Sequence, residues 1–130
     1  NEVTITGTNT IRYQSTLPCK VEKHSTLHLK PNTSFYYDPS TSNNNLLLFQ
    51  DKTSTLYLDN ANLIASAVGL LLLKGNLLVD GLVKFISYGS DDTTAIIIGD
   101  GTSANNDMSI SLQPAAQILL EGPFNYQNIS

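Results

Sequence analysis

Apolar residues in this chain fall at alternate positions in short runs, and Asn, Gly, Asp or Pro cuts the runs every few residues. The densest stretch is residues 56–85, LYLDNANLIASAVGLLLLKGNLLVDGLVKF. A period of two puts every second side chain on one face of an extended strand, so each run predicts a half-buried β-strand. Upstream, Val3 with Ile5, Ile11 with Tyr13, Leu27 with Leu29, and Phe35 with Tyr37 mark such faces, and Val21 follows the break at Pro18. Residues 38–45, DPSTSNNN, have no period and predict a loop. Residues 46–49 and 95–98 predict short, fully buried strands.

One phrase recurs. STLHLKPNTSFYY returns as STLYLDNANLIA and again as MSISLQPAAQILLEG. Leu56 and Leu58 take the places of Leu27 and Leu29, as do Ile110 and Leu112. A bend follows at residues 30–32, 59–61 and 113–115, after which Phe35, Leu63, and Ile118 with Leu120 restart a strand. Between the copies, GLLLLKGNLLVDGLVKF carries the same alternation with corners at residues 74–76 and 80–81. The corner-to-corner interval of about twenty residues is a repeat-architecture period. The expected fold is therefore all-β and a single domain over residues 1–130: a single-stranded parallel β-helix (β-solenoid) of about six rungs.

The alternative is a β-sandwich or jelly roll, whose strands also alternate and turn often. Two features favour the solenoid. The strands are only about three to five residues long, and the two-residue hairpin signature occurs only at Asp80-Gly81 and Asp100-Gly101. A helix over residues 61–73 competes locally, but its apolar residues run continuously after Ala67 and Gly69 interrupts it. At about thirteen residues it also falls short of the roughly twenty a membrane span needs.

Composition narrows the partners. Charged residues make up 14% of the chain, well under the usual quarter, and Ser, Thr and Asn take their place. A net charge of −4 offers no clustered Lys and Arg for phosphates, so nucleic acid is not an expected partner. Arg12, Lys20, Lys23 and Lys30 are too sparse, and too interrupted by Glu2 and Glu22, for a membrane-binding patch. The amide- and hydroxyl-rich composition points to an extracellular or cell-surface setting. Cys19 is the lone cysteine and assigns no compartment.

Candidate chemistry is thin. His24 and His28, four apart with Cys19 nearby, have no fourth ligand at zinc-like spacing, and neither has a neighbouring acid in a hydrolase motif. Asp91, Asp92, Asp100 and Asp107 sit in Gly- and Thr-rich turns that could offer oxygens to calcium, but the nonapeptide calcium repeat is absent and turn formation explains them. Nothing sets those carboxylates opposite each other as glycosidases require. No catalytic residue, metal site or cofactor is expected, and the chain is read as a non-enzyme. Phe35, Tyr36, Tyr37, Tyr57, Tyr88, Phe124 and Tyr126 could form a sugar-binding face or simply stack in neighbouring strands. Asn32 and Asn128 open glycosylation sequons.

STLYLDNANLIA, KGNLLVDGLVKF, IIIGDGTS and MSISLQPAAQILLEG resemble the secreted right-handed parallel β-helix proteins, a group that includes autotransporter passenger domains and pectin-lyase-like folds. They also resemble repeat modules of large surface proteins in protist-associated bacteria. The resemblance covers residues 27–126 and implies a secreted scaffold; its lyase branch implies clustered Asp with Arg or Lys on one strand face, which this sequence does not supply.

Neither NEVTITG nor GPFNYQNIS reads as a polar cap, so the end strands are expected to present open edges. Either the stretch belongs to a longer solenoid or neighbouring subunits cap one another. The second option predicts a head-to-tail homopolymer, with Val3, Ile5, Phe124 and Tyr126 at the interface. The runner-up is an adhesin or glycan-binding module that meets glycans or a host surface.

Overall fold

Period-two alternation becomes fifteen short strands in the computed structural model, which describes residues 1–101 and 108–127. They come in consecutive triplets. The first is β1 (Glu2–Ile5), β2 (Thr10–Tyr13) and β3 (Cys19–Val21), and the second is β4 (Thr26–Leu29), β5 (Ser34–Tyr37) and β6 (Leu47–Phe49). The third is β7 (Thr55–Asp59), β8 (Asn62–Ala65) and β9 (Leu70–Leu72). The fourth is β10 (Asn76–Asp80), β11 (Leu82–Ser87) and β12 (Ile96–Ile98), and the fifth is β13 (Ser109–Leu112), β14 (Gln117–Glu121) and β15 (Phe124–Tyr126). No helix occurs among the described residues.

Strands pair across triplets and never within them. One sheet has the order β1-β4-β7-β10-β13 and a second β2-β5-β8-β11-β14, while the third members form β3-β6 and β9-β12-β15. Every ladder among the described residues is parallel. Sandwiches and jelly rolls are built on antiparallel ladders, so that alternative does not describe this chain. Asp80-Gly81, the hairpin-like dipeptide, instead carries the chain from the first sheet to the second, with Gly81 at φ 68°. Among the described residues five triplets stand against the expectation of about six rungs.

The register aligns the repeated phrase residue for residue. Val3, Leu27, Leu56, Leu77 and Ile110 form one inward column of the first sheet, and Ile5, Leu29, Leu58, Val79 and Leu112 form the next. On the second sheet the corresponding column is Ile11, Phe35, Leu63, Phe85 and Leu120. The core lies along these columns, with Leu29, Leu58, Leu63, Leu77 and Val79 fully buried. Residues 61–73 contain β8, a corner and β9, with Ala61, Leu63, Ala65, Leu70 and Leu72 pointing inward. No helix among the described residues is long and apolar enough to cross a membrane.

Left-handed corners let the chain change sheets. Asn32 (φ 70°) and Asn60 (φ 49°) take a conformation that asparagine tolerates better than most residues. Asn60 ties three corners together: its carbonyl accepts from Asn32 N–H at 3.1 Å, and its own N–H donates to the Asp80 carbonyl at 2.9 Å. Its side-chain Oδ1 accepts from Leu82 N–H at 3.1 Å.

Corner length varies more than strand length, which stays between three and six residues. Along the first sheet, paired residues run Glu2, Thr26, Thr55, Asn76 and Ser109, which are steps of 24, 29, 21 and 33 residues. Part of the surplus goes into the loops at residues 38–46 and 88–95. The first of these loops is stapled to the core by buried Tyr37, whose hydroxyl donates to the Asn43 carbonyl at 2.8 Å and accepts from Leu46 N–H at 2.9 Å. Burial raises the phenol's pKa, so it stays a donor.

Two turns share one device. Asp51 accepts from the Thr53 hydroxyl (2.6 Å) and N–H (2.8 Å), and Asp91 does the same with Thr93 (2.7 and 3.0 Å) while also reaching Thr94 N–H at 3.2 Å. In both turns the threonine hydroxyl, then its N–H, holds the carboxyl below its usual range. A depressed folded pKa stabilises fully above the unfolded value of about 3.9 and is lost as pH falls through the folded value. Thermal melts from neutral pH downward are expected to drop below about pH 4, and the Asp51→Asn, Asp91→Asn double variant to drop less steeply there. Equal slopes would remove these turns from the acid response.

Candidate functional site

Burial changes abruptly at the two ends of the column stack. In the middle triplets, inward residues of β7, β8, β10 and β11 are buried, whereas every residue of β1 and β2 except the last is exposed. At the far end β14 is exposed at four of its five positions. Val3 (65%), Ile11 (41%), Leu112 (59%) and Leu120 (52%) occupy inward columns yet face solvent on one side. A shallow hollow of about 270 Å³, lined by Val3, Val21 and Leu27 among others, opens at the β1 end. Among the described residues no further strand pairs with their outer side, so these strands are also sheet edges.

The four residues expected at the ends lie there unequally. Val3 and Tyr126 are strongly exposed, while Ile5 and Phe124 pack against the core, Phe124 stacking on Phe85 at 5.5 Å and 5°. Sequence reading missed Ile11, Leu112, Leu119 and Leu120, because it took the first and last strands alone. Each end is in fact made of three strands, and their alternation carried the signal.

Elsewhere the register assembles a cluster that spacing did not predict. His24 lies exposed in the turn before β4 with φ 57°, so it shares no strand face with His28. His28, outward on β4 and only 6% exposed, sits between Glu2 of β1 and Asp59 of β7. Its Nδ1 lies 3.3 Å from Glu2 Oε2, its Nε2 lies 3.3 Å from Asp59 Oδ2, and its ring stacks on Tyr57 at 3.9 Å. Tyr57 donates to Asp80 Oδ2 at 3.1 Å; burial, then that bond and the charges of Asp59, Asp80 and Glu2, raises its pKa. Acid neighbours thus come from other strands, one turn of the chain away on each side. The imidazole thus lies between two carboxylates from the neighbouring triplets, and the cluster links three triplets side by side.

The remaining candidates separate. Cys19 is exposed on β3, and among the described residues no three His, Cys, Asp or Glu side chains converge as metal ligands would. Asp91 is occupied by its turn; Asp100 follows β12, and Thr102 through Asp107 lie outside the described residues. The aromatic residues do not share a face. Phe35 and Tyr37 point inward, Tyr57 belongs to the first sheet, and Tyr36 and Tyr88 meet on the outside, edge to face at 6.3 Å. Arg12 lies over the Tyr36 ring at 5.3 Å and bonds Asp38 Oδ2 through Nε at 2.8 Å. Asn32 is an exposed corner residue, and Asn128 lies outside the described residues. Comparison with protein-family models, with curated proteins and with solved structures finds no match.

Proposed function

We propose that the five triplets are the rungs of a single-stranded parallel β-helix, and that the chain is an extracellular structural subunit that assembles end to end into β-stacked filaments. The observation that carries this reading is the pair of open ends: among the described residues three edge strands at each, with the inward Val3, Ile11, Leu112 and Leu120 between 41% and 65% exposed. A further rung satisfies both the backbone groups and the apolar surface at once. A head-to-tail contact between identical subunits that does not close into a ring grows a filament. The low charge and the Asn, Ser and Thr content support the extracellular setting.

Negative-stain microscopy of the purified chain over a dilution series tests the reading. Long unbranched fibres are expected, with a strand spacing of about 4.7–4.8 Å along the fibre axis by diffraction. Val3→Asp, at a side chain that contributes little to the core, is expected to leave a folded monomer and no fibres. Monodisperse particles of the wild type at every concentration would overturn the proposal.

A further inference from the structure

The two ends match each other in strand length, apolar position and charge. On the first face four residues of β13 would meet four of β1, on the second five of β14 would meet four of β2, and on the third three of β15 would meet three of β3. The first two sheets run through all five triplets in unbroken register, so their columns can be extended by one more step. Extension sets Ile110 over Val3, Leu112 over Ile5 and Leu120 over Ile11.

The outward columns extend as well. On the second sheet one runs Arg12, Tyr36, Ile64, Ile86 and Glu121. Its two ends carry opposite charge, and one more step places Glu121 of one copy beside Arg12 of the next. On the first sheet, Ser109 would fall beside Glu2 and Ser111 beside Thr4, so no like charges meet on either face. Arg12 is fixed in place from the neighbouring triplet: Asp38 holds its Nε and Nη2, and its guanidinium lies over the Tyr36 ring. The guanidinium has five N–H donors, more than Asp38 uses.

From this matching we infer that the partner at each open end is a second copy of this chain, joined head to tail in the continued register, with Glu121 of one copy paired to Arg12 of the next. The inference rests on the filament reading and adds its register and its residue contacts. The junction is an in-register parallel continuation of both sheets. Opposite charge at the two column ends selects head-to-tail joining over like ends, where Arg12 would meet Arg12 or Glu121 would meet Glu121.

Charge exchange tests it, with sedimentation and microscopy as the readout. Glu121→Arg alone is expected to raise the concentration needed for assembly roughly tenfold or more, because two cations then share the junction. The Arg12→Glu, Glu121→Arg double variant is expected to recover assembly, since the pair is restored in reverse. Arg12→Glu also sets a carboxylate beside Asp38, so a second measurement avoids that site. In a Cys19→Ser background, Thr4→Cys with Ser111→Cys places thiols on adjacent strands only in the continued register. Oxidation is then expected to give a ladder of covalent multimers on a denaturing gel. Wild-type fibres together with unchanged assembly of Glu121→Arg and no covalent ladder would overturn the register while leaving the filament standing. Absence of wild-type fibres would overturn both.

Discussion

Leu63→Ala is expected to cost about 2–5 kcal/mol of unfolding free energy, while Leu120→Ala in the same inward column costs less than about 1 kcal/mol. Leu63 is fully buried between Phe35 on one side and Phe85 on the other. Truncation there removes apolar contacts and leaves a void that two aromatic neighbours, each fixed by its own strand, cannot close. Leu120 has Phe85 on one side only and is 52% exposed. Its truncation removes surface that is already half in water, and no enclosed cavity forms. Urea unfolding at concentrations that keep the chain monomeric measures both. Equal losses would mean that the end column is covered. Under assembling conditions the difference is expected to narrow, because Leu120 then gains a neighbour and Leu63 does not.

The second large effect is expected at Gly69. Gly69→Ala must hold a side chain at φ +83° and place its Cβ 2.7 Å from the Thr94 carbonyl carbon and 2.8 Å from the Ala95 oxygen. Conformation alone costs about 1–3 kcal/mol. The contact adds to that, since the obstructing atoms are backbone and belong to the segment that pairs β12 with β9. Gly7→Ala supplies the control: its φ is +96°, yet a Cβ there meets only Asn9 Nδ2 at 3.5 Å. Gly69→Ala is therefore expected to exceed Gly7→Ala by more than about 1 kcal/mol, the excess reporting the close approach. Equal costs, again by urea unfolding, would show that residues 94–95 yield without penalty.

Much of this architecture was legible because alternation encodes it directly. Leu27 with Leu29, Leu56 with Leu58 and Ile110 with Leu112 were aligned by their phrase alone, and all three pairs lie in the same two columns. The bends were legible for the same local reason: Asn32 and Asn60 have side chains that tolerate the left-handed turn. The number of triplets was less accessible, because loops of unequal length blur a period that the strands keep. Lateral chemistry was hidden altogether. Glu2, His28 and Asp59 are spread over three triplets, and only the register brings them within 3.3 Å contacts. The same holds for Arg12 and Asp38, whose pairing needs β2 to lie against β5. Tyr37 gave no sign of its hydroxyl's task, since the loop it holds has no pattern from which a partner could be read.

The uneven steps of 24, 29, 21 and 33 residues carry a consequence for how such a chain can change. Each triplet supplies three short strands, and the length of chain between them changes without altering which residues pair from one triplet to the next. Doubling the length of a flexible loop costs only about 0.6 kcal/mol in closure entropy. Loop length is thus nearly free to vary while the strand register is not. Residues 38–46 and 88–95 are therefore places where inserted foreign segments are expected to leave the pairing of the strands undisturbed.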